Sequence, residues 1–406
     1  MSTLMPQPSQ SPALPMSVPA RGPAPEKQRV CLPAWQGLGF EVLGKPLRPK
    51  ETPFPFGMPN GTYFYRARHA IYHLFRALGF GPKDTVLAPD YHSGNEVGAM
   101  RASGAHLRFY RINRRLEPDL DQVDRLIRSG ARALFVIHYL GWPQPMRELI
   151  ELCRNRGILL IEDCALALLS GSEGRPLGTF GDFAIFCLYK TLPVPNGGLL
   201  VQNTGPLHGL DRLGWEGCGM ASVAGMTAEL VLRRIRGRWA AVGGALSAAK
   251  GGFGRALRVL PAKRVTVGDI GFNLSDVNTR ISSLSRLLLK RFDYEGIRAR
   301  RRANFLRMRD RLQGGVTMLR EDLDPGVCPL FFPILVSDKE AAAAALWRRG
   351  IEAVQFWNYG DPQAAPEEGP DAKYLRHHVL EIPIHQDIGS DQIDYAARQI
   401  LDLDLQ

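Results

Sequence analysis

The 406-residue sequence lacks the paired cysteines that mark metal knuckles and disulfide-stabilised domains. Its six cysteines lie far apart, and no C-x-x-C pair occurs. This spacing argues against a zinc knuckle and provides no disulfide framework, so we expect most of these thiols to be buried. The cysteines are Cys31, Cys153, Cys164, Cys187, Cys218 and Cys328.

The first 27 residues lack a long apolar run. They contain seven prolines, and Pro12, Pro15 and Pro19 interrupt the few apolar residues present. The continuous core of a secretion signal is therefore missing from this stretch. We expect residues 1–30 to form a disordered, proline-rich leader and the protein to be cytoplasmic.

Acidic residues are absent between Leu230 and Gly268, where nine lysines and arginines occur in a chain of net charge +11. This stretch belongs to a basic insertion at about 205–268, and its glycines make it a poor continuous helix. It fits either a solvated insertion or a patch for an anionic partner such as a membrane surface or a nucleic acid. Without interleaved aromatic residues or a nucleic-acid motif, we favour the solvated insertion, expect no nucleic-acid partner, and rank membrane contact low.

Strand-like runs alternate with amphipathic helices through the first two thirds of the chain. The predicted strands are Thr85–Ala88, Leu107–Ile112, Ala133–Leu140, Ile158–Ile161, Phe183–Leu188 and Leu199–Gln202. The predicted helices are Tyr63–Gly79, Asn95–Ser103, Leu120–Arg128 and Pro145–Arg156. This alternation predicts an α/β fold whose mostly parallel sheet is covered on both faces and binds ligands at the carboxyl ends of its strands.

The pattern changes in the last third of the chain. It predicts a long helix from Ser275 to Leu312, a strand at Leu330–Val336, and helices at Lys339–Arg349 and Ser390–Leu401. We therefore expect a large α/β domain at 31–270. A linking helix and a smaller α+β domain then occupy 271–406.

A lysine and two acids follow neighbouring predicted strands. Glu162 and Asp163 end one strand, and Lys190 comes directly after the next. Taken singly, the lysine fits a solvated strand end, and the acids fit a helix cap or a salt bridge. Because parallel strands end at one edge of a sheet, the carboxylate and the amine are expected on the same rim. That pairing suggests a cofactor that bonds covalently to a lysine.

Several ordered segments carry a resemblance to a known family. They are ALGFGPKDTVLAPDY, GAHLRFYRIN, FVIHYLGWPQPM, LLIEDCA, GTFGDFAIF, GFNLSDVNTRISSL, FPILV and LEIPIHQ. From about Thr62 to the C-terminus, the chain resembles the DegT/StrS (DegT/DnrJ-type) sugar aminotransferases, which are fold-type I pyridoxal 5'-phosphate enzymes. The resemblance implies an aspartate aminotransferase-like fold and a homodimer. It also implies transfer of an amino group from an amino acid, expected to be glutamate, to a keto-sugar nucleotide in polysaccharide or glycoconjugate synthesis.

The same resemblance implies roles for individual residues. Lys190 would bind the cofactor aldehyde and act as general base and acid, Asp163 would hold the pyridine nitrogen, and Asn273 would reach the phosphate bound by the neighbouring subunit. The family pattern S-F-H-x-x-K fits Lys190 only with a two-residue deletion, whereas an ungapped register places Leu192 there. The interval from Lys190 to the Gly-Gly pair favours the deletion. Cys187 takes the place of the usual serine.

The phosphate turn of the family, S-G-T, is replaced by Arg66-Ala67-Arg68. Arg68 fits either a phosphate ligand acting by charge or an arginine on the helix surface. Ala67 lies in the same turn and is included among the expected cofactor contacts. The ring that stacks on the cofactor is either Tyr91 or His92, although each also fits a core or turn position.

The expected pocket is less polar than the family pattern, because Leu166 and Leu168 occupy positions that are commonly polar. His385 is a candidate wall of the substrate pocket, whereas His138 fits a structural position better. These replacements motivate an alternative hypothesis: a catalytically divergent family member that serves as a binding or scaffolding protein in the same pathway.

Overall fold

The computed structural model describes residues 30–47, 52–239, 272–403 and 405. Its strands are β1 Gly61–Phe64, β2 Thr85–Pro89, β3 His106–Tyr110, β4 Ala131–Ile137, β5 Leu159–Asp163, β6 Gly171–Ser172, β7 Arg175–Pro176, β8 Phe183–Cys187, β9 Gly198–Gln202, β10 Phe331–Leu335 and β11 Val379–Pro383. Its helices are α1 Phe40–Gly44, α2 Ala67–Ala77, α3 Asn95–Ser103, α4 Leu120–Arg128, α5 Met146–Arg156, α6 Met220–Arg238, α7 Ser283–Leu289, α8 Tyr294–Leu312, α9 Lys339–Arg348, α10 Pro370–His378 and α11 Ser390–Leu401.

Seven strands form the main sheet, in the order β1-β9-β8-β5-β4-β2-β3. Five adjacent strands, β3, β2, β4, β5 and β8, are parallel to one another. β9 runs antiparallel to β8, and β1 runs antiparallel to β9. The predicted mostly parallel sheet is therefore present, and it has two antiparallel pairings at one side.

The apolar composition of the central strands explains why they lie inside the molecule. Every residue of β8 and β9 is buried, as are six of the seven residues of β4. Such continuous apolar strands are typical of a sheet covered on both faces. The carboxyl ends of β2, β4, β5 and β8 meet at one edge of the sheet, which is where parallel sheets bind ligands.

A second, two-stranded sheet pairs β10 with β11 in antiparallel register, from Phe331 opposite Pro383 to Leu335 opposite Val379. Helix α11 packs along α8, and Asn304 of α8 donates to the carbonyl oxygens of Ile384 and Ile388 just beyond β11. These contacts make the C-terminal part the expected mixture of helices and strands.

The predicted continuous helix from Ser275 to Leu312 is wrong. The chain forms a short 3-10 turn and then two separate helices, α7 and α8. The Ser282 side chain accepts a hydrogen bond from the Ser285 amide at the start of α7, and the Asp293 side chain accepts one from Gly296 at the start of α8. Each N-cap satisfies a free amide and begins a new helix, so the apolar spacing is divided between two axes.

The predicted start of the first helix at Tyr63 is also wrong. Residues Gly61–Phe64 form β1, which pairs with β9, and the helix begins only at Ala67. Aromatic residues such as Tyr63 and Phe64 favour strands when a partner strand is available. That partner lies more than 130 residues further along the chain.

Within the described part of the basic insertion, Met220–Arg238 forms helix α6, while the expectation that the glycine-rich stretch is not one continuous helix lies mostly outside the described residues. Arg234 forms ion pairs with Glu41 and Asp387, both at 2.7 Å, and Arg236 forms one with Glu352 at 3.2 Å. These two arginines are thus paired within the chain. Residues 240–271, which include the rest of the insertion, lie outside the described residues, as do residues 1–29 of the predicted leader at 1–30.

Across the described ranges, the helices do not combine the length and apolar character needed to cross a membrane. All six cysteines are free thiols, and Cys153, Cys164, Cys187 and Cys328 are buried, in line with the cysteine spacing.

Candidate active site

The sheet topology brings Asp163 and Lys190 to the same edge. Asp163 is the last residue of β5, and its neighbour β8 ends at Cys187, immediately before a 3-10 turn that spans Leu188–Lys190. β5 and β8 are parallel, with Asp163 opposite Ile185. The carboxylate and the amine therefore both lie beyond the carboxyl ends of neighbouring strands, as predicted.

Asp163 is a buried carboxyl group whose ionisation is strongly perturbed. Burial is the largest cause and, together with the negative charge of Glu96, raises the pKa of Asp163 to about 7. The Ala165 amide, which donates to Asp163 Oδ1 at 2.8 Å, and the positive charge of Lys190 act in the opposite direction. Lys190 is thus within electrostatic reach of Asp163, and Asp163 lies in a position that favours a cationic partner.

The Lys190 side chain is half-buried, and its Nζ lies 5.3 Å from the centroid of the Phe356 ring. This cation–π contact joins the lysine turn to the segment that follows α9. Sequence reasoning missed Phe356, since 166 residues separate it from Lys190 and no motif surrounds it.

Cys187 and Tyr189 connect the lysine turn to the start of α2. The Tyr189 hydroxyl donates to Cys187, and burial raises the pKa of both groups. The positive charges of Arg68 and Arg66 partly oppose the rise in the pKa of Tyr189. Two predicted cofactor contacts, Cys187 and Lys190, therefore lie at the same turn, and Arg68 is within electrostatic range of it.

The start of α2 is held against the sheet by a close backbone approach. A Cβ atom on Gly198 would lie 2.3 Å from the carbonyl carbon of Arg66, so only glycine fits between β9 and this turn. Arg68 donates to Asn95 Oδ1 at 2.7 Å, while Arg66 pairs with Asp276 at 3.5 Å. Ala67 is the first residue of α2, and a helix N-terminus with two adjacent arginines favours an anion such as a phosphate.

Tyr91 and His92 are both packed into the protein interior. The Tyr91 ring lies 4.8 Å from that of Trp357, and the His92 ring lies 5.4 Å from that of Phe109. His92 Nδ1 accepts from the Gly94 amide, and burial lowers the pKa of His92 to about 3. These contacts fit the core alternative considered for both residues, and stacking on a cofactor remains a prediction.

The two acids of the Glu162-Asp163 pair have different environments. Glu162 is fully buried and accepts hydrogen bonds from the amides of Gly178, Phe180 and Gly181, all within 2.8 Å. It also accepts from His138 Nε2 at 3.0 Å; the other nitrogen of that ring accepts from the Gln144 amide. Although His138, Glu162 and Cys164 have metal-ligand atoms within 4.8 Å of one another, the acid and the histidine are committed to the protein's own hydrogen bonds. Glu162 is therefore a structural anchor for the loop before β8.

His385 and Asn273 have partners outside the Asp163–Lys190 cluster. His385 Nε2 donates to the Pro33 carbonyl oxygen at 2.9 Å, and burial lowers its pKa to about 3. Asn273 is exposed on the loop beside α2, and its side-chain oxygen accepts from the Ser275 amide. Their predicted roles, in the substrate pocket and across a subunit interface, remain predictions.

Comparison with known proteins agrees with this geometry. A sequence model of the DegT/DnrJ/EryC1/StrS aminotransferase family matches residues 57–231, which include Asp163, Lys190 and the start of α2. The match covers less than half of the chain, and residues 57–231 are similar to that family. The predicted resemblance is confirmed for this region, while Asn273 and His385 lie beyond it.

Two curated relatives share part of the chain. The dTDP-4-dehydro-2,3,6-trideoxy-D-glucose 4-aminotransferase of Saccharopolyspora spinosa is 34% identical over 152 residues, which cover 36% of this chain and 40% of the relative. The GDP-perosamine synthase of Escherichia coli O157:H7 is 31% identical over 166 residues, which cover 40% of this chain and 43% of the relative. The matched region thus spans about two fifths of each relative's length.

The structural likeness extends over most of the chain. A DegT DnrJ EryC1 StrS aminotransferase from Brucella abortus superimposes with a TM-score of 0.63 at 16% identity, covering 91% of this chain and 92% of that one. The chain therefore has the fold of the sugar aminotransferases. The predicted α/β fold of fold-type I pyridoxal phosphate enzymes is confirmed.

Proposed function

We propose that this protein is a pyridoxal phosphate-dependent aminotransferase that moves an amino group from an amino acid, expected to be glutamate, onto a keto-sugar nucleotide. The observation that carries the proposal is that a buried carboxyl group, Asp163, lies within electrostatic range of the amine of Lys190 at the carboxyl edge of the sheet. The two curated relatives described above are named as an aminotransferase and a perosamine synthase, which supports a sugar nucleotide as the acceptor. No comparison supports the scaffolding alternative.

The residues present fit pyridoxal phosphate. Asp163 is 6% exposed and accepts a hydrogen bond from the Ala165 amide, so its charged form at neutral pH calls for a nearby cation. A protonated pyridine nitrogen is such a cation. The α2 N-terminus with Arg66 and Arg68 supplies the complementary site for a phosphate, although the arginines replace the hydroxyl and glycine of the family pattern.

Pyridoxal phosphate, when bound, supplies an electron sink for the pair released as the donor's α-proton is removed. Asp163 would hold the ring nitrogen, and its negative charge would keep a proton on that nitrogen. Lys190 would hold the cofactor aldehyde, and its amine would be the base that takes the α-proton of the donor and the acid that returns it. The Phe356 ring lies beside the amine and limits the directions in which it moves.

The proposal includes a cytoplasmic homodimer. Asn273 is exposed within one chain, and the family resemblance assigns the matching asparagine to the phosphate bound by a neighbouring subunit. Two-fold symmetry would then complete both sites reciprocally.

The proposal is tested by adding pyridoxal phosphate to the purified protein, reducing with borohydride, and mapping the labelled peptide. We expect the label on Lys190. In a separate, unreduced sample, we expect release of the keto-acid from glutamate when a keto-sugar nucleotide is supplied. Lys373→Ala serves as a matched control: Lys373 is exposed on α10, so its removal should leave the label on Lys190 unchanged. Absence of label on Lys190 in cofactor-saturated protein would contradict the proposal and favour the scaffolding alternative.

A further inference from the structure

Arg301 of α8 is a buried arginine whose hydrogen-bond partners are all neutral. Its side chain is among the largest fully buried ones in the described residues, at 1% exposure. The guanidinium donates to two side-chain amide oxygens and three main-chain carbonyl oxygens, and burial lowers its pKa. These acceptors are Gln386 Oε1 at 2.8 Å, Leu330 O at 3.0 Å, Gln36 Oε1 at 3.3 Å, Thr191 O at 3.3 Å and Pro329 O at 3.4 Å.

The same group of side chains holds the main chain on both sides of Lys190. Gln36 Nε2 donates to the Tyr189 carbonyl oxygen at 3.1 Å. Gln386 Nε2 donates to the Thr191 carbonyl oxygen at 3.1 Å, alongside the bond from Arg301. We name Arg301, Gln36 and Gln386 the lysine-turn cradle.

Packing alone does not explain the cradle. Removing a guanidinium from water without a carboxylate partner is costly, and a buried ionic group is often replaced by apolar residues without loss of stability. The lysine side chain is long and flexible, so the position of its backbone limits where the amine can reach. In the gapped register expected from the sequence, the turn is two residues shorter than the family pattern, which leaves more of its conformation to external contacts.

We propose that Arg301 is the positioning residue of the active-site lysine: with Gln36 and Gln386 it clamps the carbonyl groups of Tyr189 and Thr191 and so directs Lys190 towards Asp163. This inference rests on the proposed function. The lysine-turn cradle joins three segments that are far apart in sequence: the N-terminal segment, α8 and the segment after β11.

The test compares the reactivity of Lys190 with that of an exposed lysine in the same sample. Folded protein is treated briefly with pyridoxal phosphate and reduced with borohydride, and the label on Lys190 is divided by the label on Lys373. The Lys190 amine condenses with the aldehyde, releasing water, and the reductant adds hydride to the new carbon–nitrogen double bond. A purely structural role for Arg301 would lower the unfolding temperature without changing this ratio well below that temperature.

Arg301→Gln is expected to lower the ratio about tenfold, since it removes a charged donor from the turn and from both glutamines. Arg301→Lys should recover part of the loss by restoring a buried cation. The matched control is Arg302→Gln, because Arg302 is the next residue of α8 and also binds carbonyl groups, those of Asp324 and Val327. That control should leave the ratio unchanged.

A folded Arg301→Gln protein with the wild-type ratio would overturn the inference, and the proposed function would stand. Absence of label on Lys190 in the wild type would instead contradict the proposed function. Should Arg301→Gln fail to fold, Gln36→Met and Gln386→Met decide the question, since each removes one bond to the turn. A lowered ratio in both supports the cradle, and wild-type ratios in both overturn it.

Discussion

Replacing Asp163 with asparagine is expected to stabilise the cofactor-free protein at neutral pH while removing most of its activity. The buried carboxyl group has its pKa raised from 3.8 to about 7, mainly by burial, so its ionisation is unfavourable in the folded chain. Each pKa unit corresponds to about 1.4 kcal/mol, and the three units involved therefore amount to about 4 kcal/mol. Asparagine is uncharged at every pH and lacks this cost.

The sign of the effect follows from the two pKa values. Below pH 3.8 the carboxyl group is protonated in both the folded and the unfolded chain, and it imposes no penalty. As the pH rises from 3.8 to about 7, the unfolded chain loses the proton while the folded chain keeps it, so the stability of the wild type falls. Above about pH 7 the penalty is complete. The stability advantage of Asp163→Asn should therefore widen by about 3 kcal/mol between pH 5 and pH 8.

The assay is thermal unfolding of cofactor-free wild type and Asp163→Asn at several pH values. An unfolding entropy of about 2.1 cal/mol/K per residue gives about 0.85 kcal/mol/K for this chain, so the gap between the two midpoints should widen by about 3 °C. Glu381, a second buried acid whose pKa is raised to about 7, titrates in both proteins and cancels in the difference. A gap that does not change with pH would refute the reasoning, as would wild-type turnover in the variant.

Three further predictions follow from individual contacts. Lys190→Ala should abolish the near-visible absorption of bound pyridoxal phosphate while leaving the circular dichroism spectrum unchanged; a retained, borohydride-sensitive band would show that another lysine binds the cofactor. Leu192→Ala should keep that band but lower the free energy of unfolding by about 2–5 kcal/mol, since Leu192 is fully buried; loss of the band from a folded variant would favour the ungapped register. Glu162→Gln should destabilise the protein by about 3 kcal/mol, because an NH2 donor replaces one of the two oxygens that accept from three loop amides; an unchanged unfolding midpoint would contradict its anchoring role.

A further prediction concerns the link between dimer dissociation and cofactor release. If Asn273 completes the phosphate site of a neighbouring subunit, cofactor release should accompany dissociation as the protein is diluted, and Asn273→Ala should weaken cofactor binding without unfolding the chain. Sedimentation and absorbance measured over the same concentration range check this. A monomer that retains full cofactor occupancy would contradict the shared site.

Local sequence determined most of the regular structure. The predicted bounds of α3, α4 and α11 coincide with those in the structure, because apolar spacing, N-cap residues and closing glycines act within a few residues. The alternation of strands and helices likewise determined the parallel core of the sheet. Strands that depend on a distant partner were less predictable, since β1 exists only by pairing with β9. The sequence pattern also predicts neither α10 nor β11.

For the candidate site, too, the sequence determined some features and the tertiary structure determined others. The sequence alone placed Asp163 and Lys190 at neighbouring strand ends, because parallel strands share an edge. Only the tertiary structure separated the roles of adjacent Glu162 and Asp163: one accepts three loop amides, while the other lies near Lys190 with its pKa raised. Phe356 and Arg301 likewise emerged only from the folded chain. The reason is physical, since burial, charge and hydrogen bonding act over a few ångströms in space, whereas Phe356 and Arg301 lie more than 100 residues from Lys190 in sequence.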